Sequence, residues 1–166
     1  MVNIMLTVSV LLAVLFTGIA IRKGRGLPES VSAMVYTLPV GGYRWLWTVW
    51  LWLVAMCLAP KLMETLPEEL GFVGFMMLVC LIFVGAMPLF DKENGKWHNI
   101  LGISAGILSQ LCVLIICPWW LLSWLLMAVI VTDAWFVHPR IPRWYDNKGV
   151  FIAEAICTIS LYGSLV

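Results

Sequence analysis

The chain has 166 residues, of which 63% are hydrophobic and only 11% charged, with a formal net charge of +1. So little charge cannot coat a water-soluble surface, and a net charge near zero offers no basic field to DNA or RNA, which excludes nucleic acid as a partner. The sequence predicts an all-α integral membrane protein, one domain over residues 1–166, whose immediate partners are membrane lipids.

Six apolar stretches approach the roughly 20 residues that a helix needs to cross a bilayer. They cover about 2–21, 44–60, 70–90, 99–117, 119–137 and 150–166. A closed barrel would need polar and apolar residues in alternation, whereas 70–90 is apolar on every side. The expected architecture is therefore a polytopic bundle of six transmembrane helices.

In the first span the basic residues Arg22, Lys23 and Arg25 follow the apolar stretch instead of preceding it, unlike a signal peptide, so the segment is expected to stay in the mature chain. The stretch between Pro28 and Pro39 is apolar yet carries Ser30, Ser32 and Tyr36. It is expected to form a short helix on the membrane surface, with a partly re-entrant segment as the alternative. The second span opens on Trp45 and Trp47. Together with Trp97, Trp119, Trp120, Trp135 and Trp144 these are expected to anchor the bundle at the membrane interfaces.

The third span is preceded by Glu64, Glu68 and Glu69. In the fourth, Gly102 and Gly106 form a G-x-x-x-G spacing that suits close helix packing, on a small-residue face traced by His98, Gly102, Ala105 and Ser109. Pro118, followed by Trp119 and Trp120, separates the fourth and fifth spans and predicts a tight hairpin. Nine of the ten Lys and Arg residues fall beside alternate loops, and only Lys61 lies on the other side. Cationic loops stay cytoplasmic, so both termini are expected outside.

Two acids lie inside the last two spans, Asp133 and Glu154. An ionisable group near a helix centre costs roughly 2.5–3.5 kcal/mol to insert, which makes it a functional candidate. Each sits about 7–8 Å below the cytoplasmic boundary at the helical rise, so antiparallel neighbours could bring them together. No Lys or Arg lies deep enough to neutralise such a pair. A shared proton, a bound cation, or hydrogen bonds to Thr132, Thr158 or Tyr162 would then stabilise it. Glu154, Thr158 and Tyr162 follow an i, i+4, i+8 stripe expected to face the bundle interior. The alternative is that Asp133 reaches Arg140 or His138, and Glu154 reaches Lys148, at the interface.

A second group of polar residues gathers at the cytoplasmic ends: Glu29, Ser30, Ser32, Tyr36, Asp91, His98 and His138. Imidazoles and a carboxylate suit zinc, so His98, His138 and Asp91 are candidate ligands, with Ser32 or Tyr36 facing a substrate. The chain has no H-E-x-x-H motif and no His pair at i, i+4. Its five cysteines all lie in apolar runs without a C-x-x-C pair, and read as small hydrophobic residues.

Leu27-Pro-Glu-Ser-Val-Ser with Tyr36, the Trp-rich 45–52 stretch, and Phe83-Val-Gly-Ala-Met-Pro88 followed by His98 resemble uncharacterised small multi-pass membrane proteins of gut bacteria and their phages. That resemblance implies a bacterial cytoplasmic (inner) membrane and no activity. Ser32, Asp91, His98 and His138 are also similar in type to the residues around zinc in alkaline ceramidase-like membrane hydrolases. The chain departs from that family in spacing and span number.

Three functions follow. One is a small transporter or channel-like protein that binds a proton or cation at Asp133 and Glu154. Another is a metal-dependent hydrolase of membrane lipids with a cytoplasm-facing site. The third is a non-catalytic membrane scaffold or phage-related accessory protein. Homo-oligomerisation is compatible with all three.

Overall fold

The structure, a computed structural model, describes residues 1–37, 44–86, 95–132 and 148–166. Among them are six α-helices and no strand: α1 (Val2–Gly24), α2 (Arg44–Thr65), α3 (Gly71–Ala86), α4 (Gly95–Ile116), α5 (Trp124–Thr132) and α6 (Gly149–Ser164). Short 3₁₀ segments at Ser32–Thr37, Glu68–Leu70 and Pro118–Ser123 complete the described elements. The all-α expectation holds. Four helical stretches, Val2–Gly24, Trp45–Thr65, Glu68–Ala86 and Lys96–Ile116, are long and apolar enough to cross a membrane. Pro118–Thr132 and Gly149–Ser164 are apolar but shorter.

Helix ends depart from the hydropathy boundaries for local reasons. Arg22 and Lys23 form the last turn of α1 rather than a loop, where positive charge meets the negative end of the helix dipole. Arg25 then takes the left-handed conformation (φ 55°), and the Gly26 N–H returns to the Ile21 carbonyl at 3.1 Å. This closes the exposed carbonyls of the final turn. The second helix was expected to stop at Pro60 but runs through it to Thr65. Proline removes one helical hydrogen bond, and packed neighbours can compensate for that. Leu58, Leu62 and Leu66 on either side of it are all buried.

Consecutive helices from α1 to α4 pack in order, and α6 returns to lie against α4. A main core joins Leu6 of α1, Leu58 and Leu62 of α2, Met77 of α3, Cys112 and Val113 of α4, and Leu161 of α6. A second cluster gathers Ala20, Trp47, Trp50, Leu51 and Val84 with Met34 and Val35 of the 3₁₀ segment Ser32–Thr37. Helix α5 contributes no buried residue. The chain reverses at Cys117 and Pro118, as the proline predicted. Trp124 and Gln110, equally far on the two sides of Cys117, are hydrogen-bonded at 2.9 Å.

Three expectations change. Trp47 is only 1% exposed and packs with Trp50 and Phe16, so it belongs to the interior and not to an interfacial belt. Trp45, Trp97, Trp119 and Trp120 are exposed, while Trp135 and Trp144 lie outside the described residues. The segment after α1 is not a surface helix throughout, since Met34 is fully buried.

The third change concerns glycine. A Cβ on Gly102 would meet nothing within 4 Å, and one on Gly106 only the Cys157 Sγ at 3.9 Å. Among the described residues the G-x-x-x-G pair marks no close approach. The tight contacts are at Gly74, whose Cβ would lie 2.6 Å from Leu66 Cδ1, and at Gly163, where it would lie 2.5 Å from the Trp120 ring.

Candidate functional site

Glu154 stands in the second turn of α6, partly buried. Its Oε2 accepts the backbone N–H of Val31 at 2.5 Å. The Glu29 carbonyl accepts the Phe151 N–H at 3.1 Å, so residues 29–31 are fastened to the start of α6 by two hydrogen bonds. Sequence shapes the same segment locally. Ser30 Oγ accepts the Ala33 N–H and lies 3.0 Å from Ser32 Oγ, tightening the chain into the 3₁₀ turn that buries Met34. Among the described residues the Oε1 of Glu154 has no hydrogen-bond partner and the carboxylate faces no cation. Lys148, its predicted alternative partner, forms no ion pair with it.

Asp133 lies outside the described residues, and so does its expected meeting with Glu154. The polar stripe on α6 divides. Tyr162 is partly buried and bonded to Ser9, whereas Thr158 is exposed and turns its hydroxyl back to the Glu154 carbonyl at 2.8 Å. A threonine hydroxyl satisfied within its own turn needs no partner on another helix.

Of the candidate zinc ligands, Asp91 and His138 lie outside the described residues, while His98 is partly buried in the first turn of α4. No group of three His, Cys, Asp or Glu side chains with metal-binding geometry occurs among the described residues. Ser32 and Tyr36 both fall in the 3₁₀ segment, the former beside Ser30. All five cysteines are unpaired, and Cys80 and Cys112 are buried.

Two further polar centres fasten the helices. Ser9 of α1, fully buried, donates to the Val54 carbonyl of α2 at 2.8 Å and lies 2.5 Å from the Tyr162 hydroxyl of α6. Because the single Ser9 proton is used on Val54, Tyr162 is the donor to Ser9. Gln110, the only glutamine of the chain, is the second centre. Its Oε1 accepts from Trp124 Nε1 at 2.9 Å and from Ser160 Oγ at 3.2 Å. Its Nε2 donates to Ser109 Oγ at 3.1 Å and to the Cys157 carbonyl at 3.4 Å. All four valences of the amide are used, which joins α4, α5 and α6 and leaves it no capacity for a ligand.

Counting ionisable groups passed over Gln110. The signal for it was a lone amide within an otherwise apolar run, since an amide in such surroundings must also find partners. No protein-family model, curated protein or solved structure matches the chain, and the chemistry of this polar interior is what bears on its role.

Proposed function

We propose that the protein is a six-span bundle of a bacterial inner membrane, with both termini outside, that moves a proton or a small cation through a site containing Glu154. The apolar helices and the one-sided distribution of Lys and Arg support the placement. Asp133, which lies outside the described residues, is the second carboxylate that we propose for the site. The observation that carries the reading is the Glu154 carboxylate, which has no cationic partner among the described residues and holds the backbone of Val31 with one oxygen.

A charged acceptor makes a hydrogen bond roughly twice as strong as a neutral one. Protonation of Glu154, or capture of a cation at Oε1, therefore weakens its hold on the 29–35 segment. Occupancy of the carboxylate and position of the segment are then linked equilibria. This is the coupling that a small ion-moving bundle requires.

The test is flux into phospholipid vesicles carrying the purified protein, driven by a potassium diffusion potential and read with internal dyes for protons, sodium and potassium. Wild type should exceed empty vesicles for at least one ion. Glu154→Gln should remove that excess while the protein still purifies as a monodisperse particle. Flux no greater than in empty vesicles, or unchanged in Glu154→Gln, overturns the reading and leaves the polar interior as helix-to-helix fastening alone.

A further inference from the structure

The end of α1 carries charge that nothing among the described residues neutralises. Arg22, Lys23 and Arg25 are exposed, and none of them forms an ion pair there. Basic side chains in a last helical turn can bond to its open carbonyls. Here the Ile21 carbonyl is already taken by the backbone N–H groups of Arg25 and Gly26. Lys148 stands at the same end of the bundle, because the start of α6 is bonded to residue 29, and it is unpaired too. Glu29, the acid nearest in sequence, is exposed and joins no ion pair. The opposite end differs, since Lys61 meets Glu64 at 3.3 Å and Glu68 and Glu69 follow.

Beside these cations α1 offers an apolar lane. Helical spacing puts Leu11, Leu15, Ile19 and Arg22 on one face, and the three apolar side chains are each more than half exposed. The rise from Leu11 to Arg22 is about 16 Å, roughly half of a hydrocarbon core of about 30 Å, so the lane is one leaflet deep. Every membrane helix meets acyl chains, and a zwitterionic headgroup brings a cation of its own. Unpaired Lys and Arg at the head of the lane select instead a headgroup with net negative charge. A guanidinium also fits phosphate through two parallel hydrogen bonds.

We infer that this end of α1 is a binding site for an anionic phospholipid. Arg22 holds the phosphate, Lys23 and Arg25 add positive charge, and one acyl chain lies along Leu11, Leu15 and Ile19. The inference rests on the membrane placement proposed above and not on the movement of an ion by Glu154.

The experiment is native mass spectrometry of the detergent-purified, delipidated full chain, titrated with phosphatidylglycerol or with phosphatidylcholine of the same acyl chains. The first phosphatidylglycerol should bind at least about tenfold more tightly, given about fivefold for each cation beside an anionic headgroup. Arg22→Gln, in line with the apolar lane, should lose about fivefold. Lys23→Gln should lose less, because the helix turns that position about 100° away. Lys61→Gln, at the other end, should bind like wild type. Glycerol phosphate, a headgroup without chains, should not displace the lipid. Equal affinity for the two lipids, an Arg22→Gln protein that binds no worse than Lys23→Gln, an equal loss in Lys61→Gln, or displacement by glycerol phosphate overturns the inference. Membrane placement is read separately, from whether the chain stays with carbonate-washed membranes, so its failure is distinct from that of the lipid site.

Discussion

Gly163→Ala is the substitution that most directly tests the packing described above. The new methyl would stand 2.5 Å from Cε2 and Cζ2 of Trp120 and 2.6 Å from Cδ2, well inside any carbon contact. It meets a rigid ring rather than the tip of a flexible chain, so the indole or the end of α6 must shift. Overpacking of this kind costs about 1–3 kcal/mol, against a gain of about 0.5–1 kcal/mol for replacing glycine within a helix. From the middle of each range the net expectation is a loss of about 1 kcal/mol, or roughly 2–4 °C in the unfolding midpoint for a chain of this size.

Gly102→Ala, with nothing within 4 Å of the new methyl, should leave the midpoint unchanged or slightly raised. The assay is thermal unfolding of the monodisperse protein in mild detergent. The variants are then repeated in a Trp120→Ala background, where the penalty of Gly163→Ala should vanish. A Gly163→Ala protein as stable as wild type, or a Gly102→Ala protein that loses more, would refute the reasoning.

The fastening residues give two further expectations. Gln110→Leu takes away the acceptor shared by Trp124 and Ser160 and should cost about 1–2 kcal/mol, given about 0.6 kcal/mol for an average interhelical bond in membranes and about 1.7 at most. A denaturant titration from mixed micelles measures it, and an unchanged midpoint would show that the amide does not hold α6 to α4. Ser9→Ala should destabilise more than Tyr162→Phe, because it strands the Tyr162 proton whereas Tyr162→Phe leaves Ser9 bonded to Val54. The reverse order in the same titration would contradict the assigned donor.

Hydropathy made the helices legible because every apolar stretch is separated from the next by charge, proline or glycine, and the turn at Pro118 was legible for the same reason. Pro60 misled because its cost depends on neighbours contributed by other helices, which no local pattern contains. The G-x-x-x-G spacing says that two glycines share a face but not what the face meets; the close approach belongs to Gly163, far from any motif. Trp47 and Trp119 are the same residue type near the ends of apolar runs, yet one is 1% and the other 76% exposed. Only the arrival of Phe16 and Met34 from elsewhere in the chain decides between them. Glu154 stood out as an acid in an apolar helix, but its partner is a backbone N–H, and every residue except proline offers one of those.

The bond between Val31 and Glu154 spans 123 positions, and that between Ser9 and Tyr162 spans 153. Both tie α1 or the segment after it to α6. During synthesis α1, α2, α3 and α4 can pack as each emerges, because each neighbour in space is also the next in sequence. The 29–31 segment and the Ser9 hydroxyl must wait for α6. Both are thus completed well after they are made, and their polar groups need temporary partners, from water or from an insertion factor, until α6 arrives.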